Sequence, residues 1–91
     1  MTKLDERRRA LETSLTSRGW VWENGTLYAQ HRTIWFSELD RWIKEIPDLY
    51  ETMIRRRARI IGLKQYYSNP QQHENVVHDL DQLIEAISEW L

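Results

Sequence analysis

LYETMIRRRARIIGLKQYYSNPQQHENVVHDLDQLIEAISEWL, residues 49–91, is the stretch to which the rest of the chain must fit. Two runs with helical spacing of apolar residues flank the breaker Ser68-Asn69-Pro70. The pattern predicts an antiparallel helical hairpin, with helices over about 49–67 and 70–90. In the second run Val76, Val77, Leu80, Leu83, Ile84, Ile87, Trp90 and Leu91 share one face, and Glu74, His78, Asp81, Glu85 and Glu89 occupy the opposite one. Asn69 is suited to cap this helix, with Pro70 at its first position. The first run opens on Asp48 and Glu51, a capping pattern directly after Pro47. Leu49, Met53, Ile60, Leu63 and Tyr67 make one seam, and Tyr50, Ile54 and Ile61 an adjacent one. Together the two are wide enough to touch both the terminal helix and a second element, expected to be the N-terminal half.

That half reads as a helix followed by a small sheet. A helix over about 3–18 is predicted, with Thr2 and Asp5 as a cap pair and Gly19 just past its end. Its apolar stripe is thin, Leu4, Leu11 and Leu15 with Arg8 in the same row, so weak docking is expected. Residues 20–30 form a β-hairpin, because Asn24-Gly25 supplies the pair of positive φ angles that a type I′ turn needs. In that register Trp20, Trp22, Leu27 and Ala29 share the core face, and Val21 pairs with Tyr28 on the other. Residues 33–36 can add a third strand after a tight connection at His31-Arg32. Ser37 then caps a short helix over about 38–46, carrying Leu39, Trp42, Ile43 and Ile46 and stopped by Pro47. The expected fold is α+β in one domain, 1–91: N-terminal helix, small antiparallel sheet, short helix, C-terminal helical hairpin.

The hairpin followed by Phe36-Ser37-Glu38-Leu39-Asp40-Arg41-Trp42 is similar to the arm-type DNA-binding domains of phage integrases. The resemblance implies a three-stranded sheet backed by a helix. The chain departs from that pattern in having no Lys or Arg over 20–30 and in its two further helices, and no residue role is carried over.

Composition bounds the function. The chain has 91 residues, 41% apolar and without cysteine, which excludes disulfides and thiolate metal sites. Met1 to Arg7 contains no apolar signal segment, and no run is long enough to span a membrane, so a cytoplasmic protein is expected. Residues 1–67 hold all 13 Lys and Arg against 9 Asp and Glu, while residues 68–91 hold none against 5. The chain is therefore electrically two-ended. Ten of the basic residues are Arg, which favours bidentate or stacked recognition over plain solubility.

No catalytic constellation is visible, and no enzyme is expected. His31, His73 and His78 lack metal-ligand spacing along the chain, so neither metal nor cofactor is inferred, and no small-molecule substrate. Arg56 falls in the Leu49–Met53–Ile60 seam and Arg57 between the two seams, so each needs an acid partner or must snorkel to water, whereas Arg55 and Arg59 point outward. The expected function is protein binding, to another protein or as a homodimer. Val21, Tyr28 and Trp35 would anchor it on the uncovered sheet face, with Arg55 and Arg59 giving orientation. The alternative is nucleic-acid binding, with Arg7, Arg8, Arg9, Arg32, Arg55 and Arg59 on phosphates and an aromatic stacked on bases.

Overall fold

The computed structural model describes residues 3–36 and 44–91, the side chains of Leu4, Trp35 and Phe36 excepted. Thr2 and the expected helix positions 38–43, with Ser37 as their cap, lie outside the described residues.

Helix α1 spans Lys3–Ser17. Its end is a Schellman motif: Trp20 N–H donates to Leu15 C=O and Gly19 N–H to Thr16 C=O, both at 3.1 Å. Gly19 takes φ +94°, which few other residues tolerate. Leu11 and Leu15 are fully buried, so the helix is firmly docked rather than weakly. Part of the reason is polar, because Arg18 at its end bonds to the end of the last helix.

The sheet is antiparallel in the order β1-β2-β3, with β1 Val21–Glu23, β2 Thr26–Tyr28 and β3 Trp35–Phe36. Val21 pairs with Tyr28 and Trp22 with Leu27, around Asn24 and Gly25 at φ 52° and 77°. Trp20, Leu27 and Ala29 enter the core as expected. Trp22 does not; it stays 38% exposed, because it lies beside the turn at the sheet's far end. Strand β3 is two residues long, pairing Trp35 with Tyr28 and Phe36 with Leu27.

Helix α2, Ile46–Gly62, starts three residues before Leu49, with Pro47 in its first turn. Pro47 suits that place, since the first turn has no intrahelical use for its missing N–H. The helix stops at Gly62 rather than Tyr67. Leu63 N–H is shared between Arg59 and Ile60 carbonyls, and the chain tightens into a 3₁₀ turn, Lys64–Tyr66. Leu63 falls past the end and is exposed, which removes it from the expected seam.

Helix α3, Pro70–Ser88, is capped by Asn69, whose Oδ1 accepts Gln71 N–H at 2.9 Å. It packs on both α2 and α1 and supplies Leu80, Leu83, Ala86 and Ile87 to the core, where Met53 and Ile46 of α2 meet them. Because α1 covers α3 and not the second seam of α2, Ile54 and Ile61 remain 42% and 43% exposed. Tyr50, in the same seam, is partly buried against the core. No helix among the described residues is long and apolar enough to cross a membrane.

Candidate functional site

The outward face of the sheet is built by the Asn24-Gly25 turn, which fixes the register and so puts Val21 and Tyr28 on one side. Val21 is 49% exposed and Tyr28 half-buried. Trp35 stands opposite Tyr28 in the backbone register. The loop from β2 to β3 is closed by two hydrogen bonds of 2.8 Å, Ala29 N–H to Ile34 C=O and Arg32 N–H to Ala29 C=O.

Arg32 holds a left-handed backbone conformation at φ 55°, unusual for a residue with a side chain. Its guanidinium carbon lies 5.3 Å from the Tyr28 ring centre, and Nη1 is 2.8 Å from Glu23 Oε2. Cation, ring and carboxylate thus form a polar margin to the Val21–Tyr28 pair. Arg32 belongs to the aromatic face by contact. At the sequence level it stood apart, since only the loop conformation turns it towards Tyr28.

The other expected residues lie elsewhere. Arg55 and Arg59 are exposed on α2, and Arg55 bonds to Glu51 one turn away at 3.4 Å. Neither makes a hydrogen bond or ion pair with the β-face residues among those described. Arg56, expected in the Leu49–Met53–Ile60 seam, is exposed and lines a groove with Thr33, Ile34, Ile60 and Tyr67. Arg57 is internally paired with Asp81.

On α1, Arg7 lies over the Trp90 ring at 5.8 Å and Arg8 is 4.0 Å from Glu12, while Arg9 is exposed. The acidic face of α3 is partly neutralised from other elements, which a search for basic residues one turn away on the same helix does not find. Arg18 reaches Glu89 at 2.6 Å and Glu85 at 3.9 Å, and Ser14 Oγ donates to Glu89 at 3.2 Å. These contacts hold the Glu89 carboxyl below its usual range. The Arg18 hydrogen bond is the largest cause, opposed by desolvation and assisted by Ser14 and the Arg18 charge.

The histidines also take their partners across the fold. His73 is buried, with Nε2 2.9 Å from the Ile60 carbonyl in the last turn of α2 and its ring edge-on to Tyr67. His78 sits with Nε2 3.1 Å from Gln30 Oε1 and its ring 5.4 Å from that of His31. Next to it Asp79 is fully buried, and its Oδ2 accepts the His31 N–H at 3.3 Å and the Thr33 hydroxyl. The sequence reading missed Asp79; the signal for it is its place in the apolar row of α3, three residues after Val76 and four before Leu83.

Comparison of the chain with protein-family models, with curated proteins and with solved structures gives no significant match to any.

Proposed function

We propose that this chain is a small non-enzymatic module of the cytoplasm that binds protein through the outward face and free edge of its sheet. The observation that carries this reading is the outward-facing pair of exposed Val21 and half-buried Tyr28, with Arg32 stacked on Tyr28 and bonded to Glu23. An apolar cross-strand pair with a fixed charged margin offers a partner contact area and orientation at little cost in side-chain ordering. Strand β1 adds an edge, since it pairs on one side only among the described residues and all three of its residues are exposed.

The occupant argued first is a second copy of the chain. A patch that joins one acid and one base to an apolar pair can be self-complementary under two-fold rotation, and a domain of this size gains most from a partner subunit. Nucleic acid is less well supported. Arg18, Arg32, Arg55 and Arg57 are already paired with acids, and α3 presents carboxylates.

Sedimentation velocity over a concentration series tests the self-association. The expected result is a mass rising above the 11.1 kDa monomer, with Val21→Glu and Tyr28→Ala restoring the monomer while Arg55→Ala changes little. Identical masses for the unsubstituted protein and Val21→Glu throughout would remove the second copy as the occupant.

A further inference from the structure

His31, His78 and Asp79 each direct a ligand atom to one place, with these atoms all within 4.8 Å of one another. The two rings are exposed and the carboxylate is fully buried. Among the described residues only Asp79 Oδ2 finds donors, and Oδ1 is buried with no hydrogen-bond partner. A buried carboxylate oxygen left unsatisfied is costly, and such atoms are rare unless something outside the protein meets them. From this geometry we infer that the three residues form a binding site for a divalent transition-metal ion of the zinc type.

Donor chemistry selects the ion. Two imidazole nitrogens with one carboxylate oxygen suit zinc, and also nickel or cobalt, whereas magnesium and calcium take oxygen shells. In a tetrahedral zinc site, bonds of about 2.0–2.2 Å place neighbouring ligand atoms roughly 3.4 Å apart. The site must therefore contract by about 1.4 Å at most, and the two surface rings can supply that movement by rotamer adjustment while Asp79 stays fixed. Gln30 Oε1, now beside His78 Nε2, is free to rotate away or to orient the ring through its other nitrogen.

Three protein ligands leave one position facing solvent. The consequence for the fold is a clamp, since the ion joins the loop from β2 to β3, which carries His31, to α3, which carries His78 and Asp79. The site owes nothing to the protein-binding surface proposed above and stands or falls separately.

The test is competition between the untagged full-length chain and a chromophoric chelator for zinc ions alone, with histidine ring ¹⁵N shifts recorded on the same samples. One zinc per chain is expected, with ring shifts at His31 and His78 and none at His73. His31→Ala and His78→Ala each remove a ligand from an exposed position and leave the core intact. Each should weaken binding at least 100-fold, since loss of a mere supporting contact to a metal ligand already costs about 10–100-fold. Glu74→Gln, which removes the nearest exposed acid on the same helix, should leave affinity within about threefold on the same scale. Absence of saturable binding would overturn the inference. So would binding that survives both histidine substitutions, which would mark surface adsorption.

Discussion

Asp79 is the residue at which the apolar pattern of α3 and its structure disagree most. A carboxylate in the row between Val76 and Leu83 is buried because the loop from β2 to β3 brings it donors, the His31 N–H and the Thr33 hydroxyl. Asp79→Ala should lower stability by about 1–3 kcal/mol through the loss of those bonds, read as a drop in urea midpoint at constant slope. A loss confined to a few tenths would mean that the loop holds its conformation without Asp79. Gly19 makes a second prediction at this scale. Its φ of +94° and the Gln30 side chain, 3.1 Å from where a Cβ would stand, both oppose substitution. Gly19→Ala should cost about 1–2 kcal/mol, the usual penalty for a left-handed residue with a side chain. The glycine was legible as a helix stop, since its place after the last helical turn needs no partner to interpret. The partners of Asp79 were not legible, because they come from 46 and 48 positions away.

At the scale of elements, the clamp between the ends of α1 and α3 is electrostatic and responds to acid. Glu89, held below its usual range chiefly by Arg18, contributes most above the ordinary glutamate pKa of about 4.3. That contribution is lost as pH falls through the lowered folded value, because the unfolded chain takes up the proton first. Urea midpoints should therefore show Arg18→Ala destabilised at about pH 6, with the gap narrowing towards pH 3. A gap of constant size would assign the effect to the Arg18 bond with the Ser14 carbonyl instead. The helical hairpin and the β-hairpin were both legible, since apolar spacing and the Asn24-Gly25 turn act locally. The limits of α2 were not. Pro47 serves as readily to start a helix as to stop one, and the change to 3₁₀ after Gly62 is a local choice between two carbonyl acceptors for Leu63 N–H.

At the scale of the whole molecule, the candidate surfaces expected to act together separate into the sheet face with Arg32, the outer face of α2 with Arg55 and Arg59, and the exposed part of α1. Residue periodicity places side chains on the faces of their own elements, but the relation between elements depends on which helix α1 covers. The apolar residues left by that choice, Ile54 and Ile61, lie on α2. If protein binding rests on the sheet, Tyr28→Ala should weaken association at least tenfold, about 1.4 kcal/mol. Charge reversal at Arg55 and Arg59 should change it less than about threefold. The opposite ranking, with affinity falling steeply as salt rises, would favour a polyanion on the arginines.

The most direct measurement places a photo-crosslinking amino acid at position 21 of the otherwise intact protein, irradiates it in the cells that make it, and identifies the adduct. The expected product is a discrete protein adduct, a second copy or another chain, that excess unlabelled protein displaces and Tyr28→Ala abolishes. An adduct with nucleic acid, or a protein adduct formed equally well by the Tyr28→Ala form, would contradict protein binding through the sheet.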